Sequence, residues 1–420
     1  MAKVLFFPAG VGLAHVGRTI EVAHALQKEN IDIIFGAGCD APAILEKEKL
    51  PYEIIPEFDR STYDNKIKQN NWSIYTIRLI NKFVKKEVEL VRSYKPDLIV
   101  NDVRLTAKIT SILTGIPLVS ITNVDASKYY DYSKIRMPYK TYLGKFLPPR
   151  VLSFFEKEKG QKVLRKVSFK FLQTLFLREL FKFNIILGRY GRRPFIDPFD
   201  LLTGDLTILT DIPQFRPIRK LPESFKLVGP IFWKGVKKLP KWSTEIDSKK
   251  KIIYVTASGT GDKDLFINIL KYLKDTSYTV IATCGNTLSQ KEVKIKNPRL
   301  FLTDYLPGEW IMKRADLVIF PGGNATAYQA LSFGVPQIGT PLHLDQEDNM
   351  NQLVRLETGI MLNPRKDFNR KVLINSVEHI MRNKSYRDNA LKISREMKKY
   401  HGAKQAAKEI INFLRIRSSR

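Results

Sequence analysis

Short apolar runs alternate along this chain with longer stretches in which apolar and charged residues mix at helical spacing. In the first half, residues 4–7, 31–35, 97–100 and 118–121 are short and apolar enough to be buried strands. Good helix formers fill residues 18–28, 72–94 and 106–114 between them. The second half repeats the order, with strands expected at 251–256, 279–283, 317–320 and from 337, and helices at 264–274 and 325–333. Strands that alternate with helices imply a parallel sheet covered on both faces. The stretch 213–242 breaks the pattern, being rich in proline and without periodicity. It divides the chain into an N-terminal α/β domain over 1–228, with an insertion at about 127–193, and a C-terminal α/β domain over 241–420 that ends in a basic helical tail. A linker at 229–240 joins them. Two such domains enclose a cleft, and open α/β sheets bind ligands at the C-terminal ends of their strands.

The densest chemistry follows the expected strand 317–320. It reads Pro321-Gly322-Gly323-Asn324-Ala325-Thr326, then Gln329-Ala330-Leu331, Gly334-Val335-Pro336, Pro341 and Asp345-Gln346. A strand that ends in two glycines and passes straight into a helix leaves unpaired backbone N–H groups at the positive end of the helix dipole. Glycine lets an anion come close to that backbone. Gln329, Asp345 and Gln346 add side chains that can hydrogen-bond hydroxyls. The pattern suits a phosphorylated polyol such as a nucleotide sugar. For the two glycines alone, a turn that closes a strand–helix corner is the simpler reading.

This run closely resembles the donor-binding signature of the UDP-glycosyltransferase family of plant, vertebrate and macrolide-modifying enzymes. Gly322, Gly323, Thr326, Ala330, Leu331, Gly334, Pro336, Pro341, Asp345, Gln346 and Asn349 match it in spacing. Tyr254-Val255-Thr256-Ala257-Ser258-Gly259-Thr260 resembles the family's strand and loop near the diphosphate. Asp304-Tyr305-Leu306-Pro307 resembles the loop that cradles the nucleobase, and Phe225-Lys226-Leu227-Val228-Gly229-Pro230 the segment leading into the second domain. The resemblance implies the GT-B fold, two Rossmann-like α/β domains facing across a cleft, with a UDP-sugar as substrate and no resident cofactor. It places the diphosphate on Gly323, Asn324, Ala325 and Thr326, with Pro321, Gly322, Gly259 and Thr260 beside it. The ribose falls to Gln329, the base to Tyr305, Leu306 and Pro307, and the sugar hydroxyls to Asp345 and Gln346. Pro321 stands where the family has His and Gln329 where it has Glu, two departures that bear on the choice of nucleotide.

The first loop, Gly10-Val11-Gly12-Leu13-Ala14-His15, fails the dinucleotide fingerprint because its sixth position is His15 and not glycine. A histidine at the mouth of a strand–helix loop can take a proton from an acceptor hydroxyl. The resemblance assigns His15 that role and adds Gly12 to the donor-binding residues. Asp102, just beyond the strand 97–100, is the candidate to orient the imidazole. Capping a helix is the alternative for Asp102; capping the loop or touching phosphate is the alternative for His15. Asp262-Lys263-Asp264 is the one Asp-x-Asp in the chain. It opens an expected helix, where aspartate caps free N–H groups, so no residue is assigned to a metal. A base on the acceptor and a bound leaving group imply direct displacement with inversion, as the family performs.

Composition adds a partner. Lys and Arg number 70 and Asp and Glu 42, a net charge of +28, and 17 basic against 4 acidic residues fall between positions 126 and 195. Such a charge favours a polyanionic surface. Between 149 and 195, apolar residues recur at helical spacing among Lys and Arg. One reading is an amphipathic surface resting on anionic lipid; the other is a pair of helices whose apolar stripe is core. Nucleic acid is not expected, since no RNA-binding module is recognisable. Cys39 and Cys284, one in each half, form neither a disulfide framework nor a CxxC site, which fits a reducing cytoplasm. No apolar run approaches about 18 residues, so any membrane contact is expected to be peripheral.

The expectation is a cytoplasmic, inverting, metal-independent glycosyltransferase. It moves a hexose from a UDP-sugar to a hydroxyl of a membrane lipid, a lipid-linked sugar or a hydrophobic metabolite. A UDP-GlcNAc 2-epimerase would share the architecture but needs several acid/base carboxylates, of which the sequence shows no clear set. A non-catalytic sugar-nucleotide or lipid-binding protein is the rival of another kind.

Overall fold

The computed structural model describes residues 1–69, 71, 73–144, 146–235, 238–247, 249–259, 261–364 and 368–418. The chain forms two compact units. One comprises Met1–Lys134, Lys162–Trp233 and Tyr400–Arg420, the other Ile135–Gln161 and Lys234–Lys399.

In the first unit seven parallel strands make one sheet: β1 (Lys3–Pro8), β2 (Asp32–Ala37), β3 (Tyr52–Ile54), β4 (Leu98–Asp102), β5 (Leu118–Thr122), β6 (Leu206–Leu209) and β7 (Phe225–Leu227). Their spatial order is β3-β2-β1-β4-β5-β6-β7. The central strands carry continuous apolar runs, Val4–Phe7 in β1 and Leu98–Val100 in β4, because helices cover both faces. The order reverses between β1 and β4, where Leu5 pairs with Ile99 and Pro8 with Asp102. Connections leave these two strands in opposite directions, which opens a crevice at their C-terminal ends.

The second unit repeats the design with six parallel strands: β8 (Ile252–Thr256), β9 (Thr279–Thr283), β10 (Leu300–Thr303), β11 (Leu317–Phe320), β12 (Gln337–Gly339) and β13 (Gly359–Met361). The order β10-β9-β8-β11-β12-β13 reverses between β8 and β11. The loops after β1, β8 and β11 that the sequence singles out, and Asp102 at the end of β4, therefore lie at the strands that flank the reversals, while the loop 304–307 follows β10.

Several boundaries differ from expectation. The helix expected from 18 begins at Leu13, because Gly12 turns the chain at φ 96° and lets the helix start directly after the loop. The helix expected over 72–94 is Ile77–Tyr94, its start set by Thr76 Oγ1, which accepts the Leu79 N–H at 3.2 Å; Trp72 lies outside the described residues. The tail helix Gly402–Ser418, expected with the C-terminal domain, belongs to the first unit. Its Ala406, Ala407 and Ile410 are buried in the same core as Val16 and Ile20. Conversely, Ile135–Gln161, expected as part of the N-terminal insertion, belongs to the second unit. It is moored there by the buried Glu347 carboxylate, which accepts the N–H groups of Tyr139, Lys140 and Thr141 at 2.8, 2.7 and 2.6 Å. The change of unit falls between Trp233 and Lys234, inside the expected linker.

The basic middle forms the helices Pro149–Phe154 and Glu158–Arg189. Leu180, Phe183, Ile186 and Leu187 of the longer helix join a core with Ile80, Phe83, Val84 and Ile109. Among the described residues, no helix is long and apolar enough to cross a membrane.

Candidate active site

In the first unit the site is built where the sheet reverses. His15 lies in the first turn of the helix Leu13–Gln27, and Asp102 is the last residue of β4. Asp102 is fully buried and caps no helix; the next helix starts at Thr106, with Leu105 in the cap position. His15 Nδ1 lies 2.7 Å from Asp102 Oδ1. A carboxylate only accepts, so Nδ1 carries the proton of this bond and Nε2 is left as an acceptor. The imidazole keeps partial exposure, 27% of its side chain against 0% for Asp102.

Arg18, one helical turn beyond His15, completes the arrangement and was not singled out in the sequence. Its Nε and Nη2 hold Asp102 Oδ2 and Oδ1 at 2.8 and 2.7 Å, and its Nη1 reaches Asn123 Oδ1 and Thr210 Oγ1, both at 2.7 Å. One guanidinium thus ties together the C-terminal ends of β4, β5 and β6. Nη2 is also 3.1 Å from His15 Nδ1; both are donors in this tautomer, so that contact is not a hydrogen bond. Burial pushes the Asp102 carboxyl up, but Arg18 and His15 outweigh it and hold it below the ordinary carboxylate range. The spacing 15/18 was the available signal, since residues three apart share a helix face.

A second buried group fixes the loop that leads into His15. Glu57 Oε2 accepts the Gly10 N–H at 2.8 Å and Arg104 Nη1 at 2.7 Å, and Arg104 Nε donates to Glu87 Oε1 at 2.6 Å. The loop after β1 and the turn after β4 are therefore held on one carboxylate. That turn passes through Val103 at φ 57°, unusual for a β-branched residue. Gly12 has open space where a Cβ would stand.

In the second unit, the run after β11 forms one connected structure. Pro321 is buried at the strand end, and Gly322 adopts φ 104°. A Cβ on Gly322 would lie 2.8 Å from Gln346 O, and Asn349 Nδ2 donates to Gly322 O at 2.9 Å. The glycine pair and the Asp345-Gln346-Asn349 helix (Leu344–Arg355) are thereby brought together. Gly323 is the N-cap of the helix Asn324–Ser332, which has no side-chain cap, so its first N–H groups face outward through Ala325 and Thr326. Asn324 Oδ1 and, after β8, Ser258 Oγ are buried without partners. Gln329 lies so close to the loop after β10 that a Cβ on Gly308 would stand 1.8 Å from its Nε2. That contact joins Gln329 to the Tyr305-Leu306-Pro307 loop; Tyr305 is 41% exposed and donates to Asn286 Oδ1 at 2.6 Å. Gly259 is exposed after β8, and Thr260 lies outside the described residues.

Three details refine the expected donor residues. Gln346 is buried, and its Oε1 accepts the Leu342 N–H at 2.8 Å, which shapes the loop before the helix. Asp345 is half-buried in the first turn. His343, not singled out in the sequence, occupies the cap position beside it, buried and with neither ring nitrogen partnered; burial pushes its imidazole down to about 4. Asp262 caps the helix Lys263–Leu273, its Oδ1 accepting the Leu265 N–H at 2.9 Å.

Residues 269–413 match a family described as Erythromycin biosynthesis protein CIII-like, C-terminal domain. A PGL/p-HBAD biosynthesis rhamnosyltransferase of Mycobacterium bovis is 26% identical over 400 residues, covering 93% of this chain and 83% of that protein. A shorter match, 24% identical and covering 64% of this chain and 70% of the other, is to an M. bovis relative named as an inactive PGL/p-HBAD biosynthesis glycosyltransferase. Among solved structures, the spinosyn forosaminyltransferase SpnP superposes with a TM-score of 0.71 at 16% identity, covering 98% of this chain and 99% of that one. The spinosyn rhamnosyltransferase SpnG complexed with thymidine diphosphate gives 0.68 at 16% identity, covering 96% and 98%.

Proposed function

The chain belongs to the UDP-glycosyltransferase family of the GT-B fold, and from that premise we propose that it transfers a hexose from a UDP-sugar to a hydroxyl of a lipophilic acceptor, with inversion at the anomeric carbon. The observation that carries the reading is the pairing of His15 Nδ1 with the buried Asp102 carboxylate at 2.7 Å. It leaves Nε2 to take a proton. In the proposed step the acceptor oxygen loses its proton to Nε2 and bonds to the anomeric carbon. The bond from that carbon to the diphosphate oxygen breaks, and the nucleoside diphosphate leaves with the electron pair. Charge developing on the leaving group is met by backbone N–H groups at the start of the helix Asn324–Ser332. Gly322 and Gly323 allow the close approach this needs. In the second unit Gly259 serves the diphosphate, Gln329 the ribose, Tyr305–Pro307 the base, and Asp345 with Gln346 the sugar; the resemblance adds Gly12 and Thr260 to the diphosphate's residues. No step is assigned to a metal.

A second donor reading has its own support. Gln329 replaces a carboxylate with an amide that both donates and accepts, which discriminates less sharply among nucleotides. SpnG binds thymidine diphosphate, and the M. bovis relative is named a rhamnosyltransferase. A thymidine-diphosphate deoxysugar is therefore the second donor to test. The naming of the relatives for PGL/p-HBAD biosynthesis and the exposed apolar residues of the basic middle support the lipophilic acceptor. The place of work that fits both is the cytoplasmic face of an anionic membrane.

The test is turnover with a panel of UDP- and thymidine-diphosphate sugars against lipid and small hydrophobic acceptors, followed by NMR of the product. An anomeric configuration opposite to the donor's supports the mechanism, and a retained one overturns it. Nucleotide binding without turnover on any pair favours the non-catalytic rival.

A further inference from the structure

The helix Glu158–Arg189 carries apolar residues on two faces. One face is core: Leu164, Leu180, Phe183, Ile186 and Leu187 are each at most 5% exposed. The other points to solvent. At about 100° per residue, Val163, Val167, Leu177 and Phe181 fall within about 80° of one another. They are 47, 59, 45 and 65% exposed. They form two pairs, 163/167 and 177/181, about 15 Å apart along the helix, with the side chains of 168–175 outside the described residues; the place where a Cβ would stand on Gly188, on the same face, is open space. Large apolar side chains lined up on a solvent face call for a partner.

Charge decides which partner. Lys162 and Lys166 flank the row on one side and Arg178 and Arg189 on the other, all exposed. Over the 32-residue helix there are eight Lys or Arg and two Asp or Glu. A second copy of this chain would set these cations against each other, whereas anionic phospholipid headgroups would neutralise them while the apolar row enters the headgroup–acyl boundary. We infer that the solvent face of the helix Glu158–Arg189 docks the protein onto an anionic membrane surface, with Val163, Val167, Leu177 and Phe181 inserted and the flanking Lys and Arg on the headgroups. The inference deepens the lipophilic-acceptor reading and rests on it for its purpose, but the measurement below requires no acceptor and no turnover.

The full chain is floated with vesicles of phosphatidylcholine alone and of phosphatidylcholine with about 30% phosphatidylglycerol. Binding is expected to the anionic vesicles, to fall on the order of tenfold when salt rises from about 0.05 to about 0.3 M, and to weaken on the order of tenfold in Leu177→Ser/Phe181→Ser. Lys162→Glu/Lys166→Glu is expected to weaken it similarly. Thermal midpoints check that both variants fold, and Phe181→Ser alone serves if the pair does not. Equal binding to neutral vesicles, or no binding, overturns the inference. So does salt-sensitive binding that Phe181→Ser leaves unchanged, since the row would then not be inserted. Dimerisation abolished by Phe181→Ser, without vesicle binding, would assign the face to a second copy instead. Nucleoside diphosphate release with a water-soluble acceptor reports separately on glycosyl transfer.

Discussion

His15 Nδ1 and Arg18 Nη2 both lie 2.7 Å from Asp102 Oδ1, so the oxygen that orients the imidazole is also half of a buried ion pair. The imidazole is thereby held by a carboxylate that Arg18 fixes in place. Asp102→Asn keeps the shape but allows the amide to donate toward Nδ1, which favours the tautomer with its proton on Nε2. Turnover is expected to fall by roughly 10²–10⁴ while nucleotide affinity stays near wild type. Steady-state kinetics beside calorimetric titration of the nucleotide check this; wild-type turnover would show that Asp102 has no part in orienting the base.

Arg18 makes a separate prediction, on stability. Asp102 is held below its ordinary value because Arg18 and His15 outweigh burial. The stability it contributes is present above the unfolded-state value of about 3.9 and lost as pH falls through the lower folded value. In Arg18→Met, burial prevails, so the loss begins at higher pH, and the buried carboxylate left with His15 alone lowers stability by about 3–5 kcal/mol near neutrality. Urea midpoints between about pH 3 and about pH 7 are expected to diverge from wild type. Superimposable curves would contradict the ion pair.

The elements carrying these residues were legible because parallel strands buried on both faces are short continuous apolar runs, as in Val4-Leu5-Phe6-Phe7 and Leu317-Val318-Ile319-Phe320. The run 321–346 stood out because its glycine pair comes with Gln329, Pro336, Asp345 and Gln346 at set spacing, which a strand–helix turn alone does not require. What escaped is long-range. Nothing near residue 347 signals that its carboxylate holds the backbone of residues 139–141. Nothing in the tail signals that Ala406 and Ile410 fill the core beside Val16. The strands β3, β7 and β13 are only three residues long, too short to show a period. The role of Arg18 depends on β4, β5 and β6 bringing Asp102, Asn123 and Thr210 around it from distant parts of the chain.

The two glycines after β11 allow folding and the proposed binding to be tested separately. Gly322 has φ 104° and no room for a Cβ, while Gly323 has none of its neighbours within 4 Å of one. Gly322→Ala is expected to lower stability by about 1–3 kcal/mol. Gly323→Ala is expected to leave the thermal midpoint within about 1 °C and to raise the donor KM at least about tenfold, because the methyl group would occupy the approach to the helix start. An unchanged KM for Gly323→Ala would move the diphosphate elsewhere.

His343 gives the clearest pH signature. Its folded value, about 4, lies below the unfolded value of about 6.5. Between these limits the unfolded chain takes up a proton that the folded chain refuses, so stability falls as pH falls, by about 1.4 kcal/mol per unit from this residue. His343→Phe removes that term. The difference in unfolding free energy between variant and wild type is expected to move in the variant's favour from about pH 6.5 down to about pH 4, and a constant difference would contradict the buried neutral imidazole.

Acceptor-dependent release of nucleoside diphosphate, measured side by side for wild type and His15→Ala, tests glycosyl transfer by this site most directly. The account predicts release by the wild type only when a hydroxyl acceptor is present, a fall of roughly 10²–10⁴ in His15→Ala, and unchanged nucleotide binding in both. Nucleotide binding by the wild type with no release on any donor–acceptor pair, or release that His15→Ala leaves intact, would contradict it.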